Sequence, residues 1–118
     1  MLKETCIAEM DRLDGVKIVV TRWYPRGVRR GRFDEWLPVL GPSRELLKAV
    51  KAGAIGWSEY AQRYRREIFS NPDALKEIQR LRRLAQLRDV YLVCWEPKPP
   101  CHRFLLLDIV KELELREG

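Results

Sequence analysis

The run Asp89-Val90-Tyr91-Leu92-Val93-Cys94-Trp95 constrains this chain more than any other, because it is apolar on both faces of a strand. A strand exposed on one side alternates apolar and polar residues; a run without alternation must be covered on both sides. Val16-Lys17-Ile18-Val19-Val20 repeats the pattern with one polar interruption. Stretches of helical periodicity lie between the two runs, and another follows the second. This order predicts an α/β fold, with a small mixed or partly parallel sheet of about three strands flanked by about five helices. At 118 residues the chain has room for a single domain, residues 1–118.

Local signals place the remaining elements. Glu4 to Met10 alternates weakly and reads as a short strand. Asp14-Gly15 is a tight-turn dipeptide that would fold this strand back against Val16–Thr21. Phe33, Trp36, Leu37 and Leu40 stand at helical spacing before Gly41-Pro42. Ser43 suits the N-cap of a helix over Arg44–Ala52 that Gly53 ends, and Ser58 suits the next cap. The following helix would bury Tyr60, Ala61, Tyr64 and Ile68. Asn71-Pro72 opens a further helix that runs to about Arg88. Pro97, Pro99 and Pro100 forbid regular structure. A last helix opens near Cys101 and packs Leu105, Leu106, Ile109, Val110 and Leu113 on the sheet. The segment Arg26–Arg32 holds four arginines and two glycines and reads as a loop.

With 23 basic and 17 acidic residues the net charge is +6. A positive field draws in anionic small molecules, nucleic acid and acidic protein surfaces. The basic residues cluster at Arg22, Arg26, Arg29, Arg30 and Arg32, and again at Arg63, Arg65, Arg66, Arg80, Arg82, Arg83 and Arg88. The C-terminal segment is acidic through Asp108, Glu112, Glu114 and Glu117, so a homo-oligomer joining it to a basic face is one expectation. No apolar stretch reaches the roughly 18 residues of a membrane span, and no signal peptide is visible, so cytoplasmic residence is expected. Three cysteines argue against a secreted disulfide framework. A Cys94–Cys101 bridge would suit a hyperthermophile. The high charge and single asparagine lean the same way.

The polar chemistry concentrates where the two apolar runs end. Carboxyl ends of strands are where open α/β sheets form ligand crevices. After the first run come Thr21-Arg22-Trp23-Tyr24-Pro25-Arg26-Gly27, and after the second Cys94-Trp95-Glu96 and Cys101-His102-Arg103. Arg22, Arg26 and Arg103 suit bidentate binding of carboxylate or phosphate. Trp23 and Tyr24 would stack a base or shield it. Cys94, Glu96, Cys101 and His102 are the candidate catalytic residues. A thiol at a helix start beside an arginine favours the thiolate, and Glu96 and His102 offer acid and base. Against this, a free cysteine usually serves as a small buried hydrophobe, and surface arginines are often held by neighbouring acids.

Spacing excludes several chemistries. A phosphatase cradle needs five residues between its cysteine and its arginine; Cys94 is too far from Arg103 and Cys101 too near. No P-loop, Gly-x-Gly-x-x-Gly or Gly-x-Ser-x-Gly is present, so no cofactor is assigned. A zinc set of Cys6, Cys94, Cys101 and His102 requires the first strand to lie alongside the others; no metal is assigned.

At these motifs the chain resembles the domain of unknown function 488 family, including its YeaO-like branch. Arg22-Trp23-Tyr24-Pro25-Arg26-Gly27-Val28 is similar to the family's Arg-aromatic-Pro-Arg-Gly motif. Asp34-Glu35-Trp36-Leu37, Pro42-Ser43, Glu45-Leu46, Tyr60 and Tyr64-Arg65 resemble its central helices. Cys94-Trp95-Glu96 and Cys101-His102-Arg103 resemble its terminal motif. Thr21 stands where the YeaO-like branch usually has aspartate, and that branch commonly lacks the Cys-His-Arg ending. The resemblance implies an α/β layered fold with both motifs near one end of the sheet. It implies no substrate. The function expected from the residues is an anion- or nucleotide-binding crevice, in a small enzyme or binding domain. The alternatives are a nucleic-acid-binding module using the arginine-rich loop and helices, or a non-catalytic interaction protein.

Overall fold

A computed structural model describes residues 1–117. The elements run β1 (Leu2–Cys6), β2 (Val16–Val19), β3 (Glu35–Trp36), α1 (Arg44–Lys51), α2 (Trp57–Phe69), α3 (Pro72–Leu87), β4 (Val90–Cys94) and α4 (His102–Glu117), with short 3-10 turns at Met10–Arg12, Arg30–Arg32 and Pro38–Leu40. The sheet is α/β in class, with strand order β1-β4-β2-β3 and every pairing parallel. The expected class holds, with one strand more and one helix fewer than the sequence suggests.

The unbroken apolar run explains why β4 is central. All five of its residues are buried, and it pairs with β1 on one side and β2 on the other. Alternate residues of this strand enter two cores. Val90 and Leu92 join Ile18 and Val20 against the helices, where Tyr64, Ile68, Ile78, Leu81, Leu106 and Ile109 complete the packing. Tyr91 and Val93 face the other way and meet Val19, Ile7, Met10 and Val28. Each fully buried aliphatic side chain contributes about 1.5–3 kcal/mol, so the helix-side core dominates stability. The second core is roofed by connecting segments, since all four helices lie on the first face.

Two expected elements take different forms. The strand at the N-terminus spans Leu2–Cys6, and β4 separates it from β2, so there is no hairpin at Asp14-Gly15. Gly15 instead sits at φ +142°, where a Cβ would lie 2.7 Å from the Asp89 carbonyl oxygen. That close approach lets the Val16 amide donate to the same oxygen at 2.9 Å and sets the β2–β4 register. The segment 33–40 is also not a helix. Pro38 in its middle has no amide to donate, so the chain forms the two-residue strand β3 and then a 3-10 turn.

Other start signals act as expected. Ser43 accepts from the Leu46 amide at the start of α1, and Asn71 accepts from Asp73 and Ala74 at the start of α3. Helix α2 begins one residue before Ser58, with Gly56 in the cap position. Among the described residues no helix is long and apolar enough to cross a membrane.

Candidate functional site

Strands β2 and β4 are neighbours, and the chain leaves them in opposite directions. From β2 it turns toward β3, whereas α4 packs back over β1 and β4. A cleft of about 420 Å³ opens beyond their carboxyl ends. Thr21, Arg22 and Trp23 come from the end of β2, and Trp95 and Glu96 from the end of β4. Cys101 and His102 come from the start of α4, and Leu47, Val50, Lys51, Trp57 and Tyr60 from α1 and α2.

The β2 side is held by its backbone. The Thr21 hydroxyl donates to the Trp23 carbonyl at 2.6 Å, and the Trp36 indole donates to the Thr21 carbonyl at 2.9 Å. Gly41 passes so close beneath this turn that a Cβ would stand 2.5 Å from the Arg22 nitrogen. Trp23, Trp57 and Trp95 remain 54%, 39% and 47% exposed, and all three border the cleft. Arg44 lies over the Trp23 ring, and Trp57 stacks on Tyr60 with centroids 4.9 Å apart. Burial, with Glu96 and Glu67 nearby, raises the Tyr60 phenol far above its ordinary range, so it remains a neutral hydroxyl.

A cluster of reactive groups forms the floor. Cys94, Cys101 and His102 are buried, and their ligand atoms lie within 4.8 Å of one another. Both thiols reach the Glu96 carboxylate, each at 3.5 Å from Oε2. The two Sγ atoms are in bonding contact, yet their Cα atoms are 7.9 Å apart. A relaxed disulfide spans about 4.4–6.8 Å between Cα atoms, so the backbone here is set wider than a disulfide's while the two sulfurs converge on one point.

The imidazole tautomer follows from its partners. His102 Nε2 is 2.7 Å from the Val20 carbonyl oxygen, which can only accept, so Nε2 carries the hydrogen. Nδ1 then presents its lone pair to Cys101 Sγ at 3.8 Å. Burial lowers the His102 pKa, and Arg103 adds to that; the Val20 carbonyl and Glu96 act in the opposite sense. A neutral Nδ1 beside two thiols can take a thiol proton or coordinate a metal ion.

Of the residues singled out from sequence, Arg22, Trp23, Glu96, Cys101 and His102 line the cleft, and Cys94 lies beneath it. Arg103 does not line it. It is 1% exposed, and its guanidinium donates to Glu4 at 2.8 Å, to Cys94 Sγ at 2.9 Å and to the carbonyl of Glu96. With its donors on these partners, Arg103 ties β1, the end of β4 and the start of α4 together. Tyr24 also faces elsewhere: its hydroxyl donates to the Val28 carbonyl and its ring packs on Phe33 and Trp36. Arg26 is exposed and outside the cleft. Sequence reasoning missed Lys51, Trp57 and Tyr60 as cleft residues. The one available signal was Trp57 itself, a large aromatic at a helix start where no apolar stripe requires it.

Fold and site together define a small parallel α/β domain with a thiol–imidazole cleft at the carboxyl ends of two neighbouring strands. The chain belongs to the DUF488-N3a family, described as the "Active DUF488-N3 subclade", whose model matches residues 5–114. The match agrees with the domain of unknown function 488 resemblance that the two motifs carry. Over 60 residues it is 32% identical to "Uncharacterized protein YeaO" of Escherichia coli (strain K12), a match covering 49% of this chain and 52% of that protein. The chain thus spans about half the length of the curated relative it matches. No solved structure matches.

Proposed function

We propose that the cleft binds an anionic, nucleotide-like molecule and that the Cys–His–Glu floor acts on it, making the protein a small enzyme. The observation carrying this reading is the convergence of three exposed tryptophans with Arg22 and Lys51 on one cleft. Large aromatic faces left in water at a concave site favour a flat ring, and each base–aromatic stack is worth about 1–3 kcal/mol. Arg22 and Lys51 supply the positive charge for a phosphate or carboxylate. Cys94, Cys101 and His102 then stand buried beneath the cleft, with Glu96 on its exposed side.

The test is tryptophan fluorescence during titration with a purine mononucleotide, the matching nucleoside and inorganic phosphate. Quenching by the nucleotide is expected, weaker binding by the nucleoside, and little change with phosphate alone. Arg22→Ala should weaken the nucleotide by about 10–100-fold, the loss of a charged hydrogen bond, and leave the nucleoside nearly unchanged. Absence of quenching by both ring compounds at millimolar concentration would remove the proposal.

The alternative of a nucleic-acid surface on the arginine-rich helices has less support. Arg63, Arg65, Arg80 and Arg82 are in ion pairs with Glu59, Glu112, Glu35 and Glu117, respectively.

A further inference from the structure

We infer that Cys94, Cys101 and His102 form a binding site for a thiophilic divalent cation of the zinc class, with Glu96 as a fourth, displaceable ligand. The inference takes its place in the cleft from the reading above, but its chemistry is independent of any nucleotide. Four observations carry it.

The first is the donor set. Two sulfurs and an imidazole nitrogen meet within 4.8 Å, and a carboxylate oxygen stands 3.5 Å from each sulfur. Two thiolates with one imidazole select zinc-like ions, and three protein ligands with an exchangeable fourth are the mark of a catalytic site.

The second is the backbone spacing. The Cα atoms of Cys94 and Cys101 are 7.9 Å apart, too far for a relaxed disulfide and wide enough for an ion between the sulfurs. Seating it at about 2.3 Å from each sulfur requires the two side chains to swing apart, with no change of strand or helix.

The third is the outer ring of partners. Metal-bound histidines donate their other ring N–H to a carbonyl or carboxylate, which fixes the ring. His102 donates Nε2–H to the Val20 carbonyl at 2.7 Å and so aims Nδ1 at the cysteines. Arg103 places a buried cation 2.9 Å from Cys94 Sγ and offsets part of the charge of two thiolates.

The fourth is access. Glu96, Cys101 and His102 all line the cleft, so an ion there would have its exchangeable position toward a bound molecule. Cys6 is the internal control. It is buried beside Cys94 in the strand register but lies outside the cluster.

The test is cobalt substitution of the reduced, chelator-stripped protein. A near-ultraviolet thiolate-to-cobalt charge-transfer band, with intense visible bands of tetrahedral cobalt, should saturate at a single ion per chain and vanish when zinc is added. Cys94→Ser and Cys101→Ser should each reduce the charge-transfer band by about half. Each should also weaken zinc by at least the ~10–100-fold that loss of a supporting residue costs. Cys6→Ser should leave both unchanged. A wild-type protein without the thiolate band, or a band that Cys6→Ser abolishes, would overturn the site; the wild-type spectrum needs no variant to fold. Nucleotide quenching of the stripped protein is read separately, so either proposal can fail while the other stands.

Discussion

At the scale of single residues, Arg103 shows how far a motif can be read before burial is known. Its place after Cys101-His102 marks it as part of the site, and it does touch the Cys94 sulfur. A one-dimensional sequence does not reveal that Glu4, 99 residues away, would take its Nε–H. The same holds for Tyr24, which the packing of Phe33 and Trp36 turns away from the cleft. Cys101 and His102 were legible because adjacent reactive side chains at a helix start need no tertiary information to be brought together. Removing Arg103 should therefore cost stability. Arg103→Ala leaves Glu4 and the Glu96 carbonyl without their donor; about 2–4 kcal/mol is expected, below the fully buried value because Glu4 keeps a third of its surface. Arg103→Lys should recover only part of it, since an ammonium cannot present the fork that reaches both sides. Urea unfolding of the two variants checks the order.

Among elements, the sequence was most legible where a local signal had no competitor. Asn71-Pro72 starts α3 and Ser43 starts α1 because a side-chain acceptor and the first free amides are near neighbours in sequence. The hairpin expected at Asp14-Gly15 failed because the same dipeptide served a long-range purpose. Gly15 is there to pass the Asp89 carbonyl, and no short-range rule contains Asp89. Likewise the apolar spacing from Phe33 to Leu40 resembled a helix, although Pro38 and pairing of β3 with β2 decide otherwise. These cases predict different sensitivities. Asn71→Ala should cost about 1 kcal/mol, the usual worth of an N-cap. Gly15→Ala should cost about 2–4 kcal/mol, because the positive φ and the backbone overlap add. Thermal melts of both variants would measure the contrast, and an alanine at position 15 that melts like the parent would contradict the register argument.

For the whole molecule, the uneven division of the sheet's two faces determines where chemistry can occur. All four helices cover one face, connecting segments cover the other, and the aromatic-rimmed cleft lies at the carboxyl end between β2 and β4. The sheet's parallel order was foreshadowed by two non-alternating apolar runs, but the position of β1 was not, since Leu2–Cys6 carries Lys3 and Glu4 as an edge strand does. The net charge of +6 acts at this scale too. Much of the arginine-rich surface is matched within the chain: Arg65 and Arg116 meet Glu112, Arg82 meets Glu117, and Arg32 meets Asp11. The acidic C-terminal helix thus draws on this chain's own basic residues. A ligand held by Arg22 and Lys51 would then depend only mildly on salt. Between about 50 and 200 mM, mononucleotide affinity should fall by less than about tenfold, whereas a surface making six phosphate contacts to DNA loses on the order of 10³-fold. Measuring both affinities across that range separates a cleft from a face, and a mononucleotide that loses as much as DNA would place the binding charge outside Arg22 and Lys51.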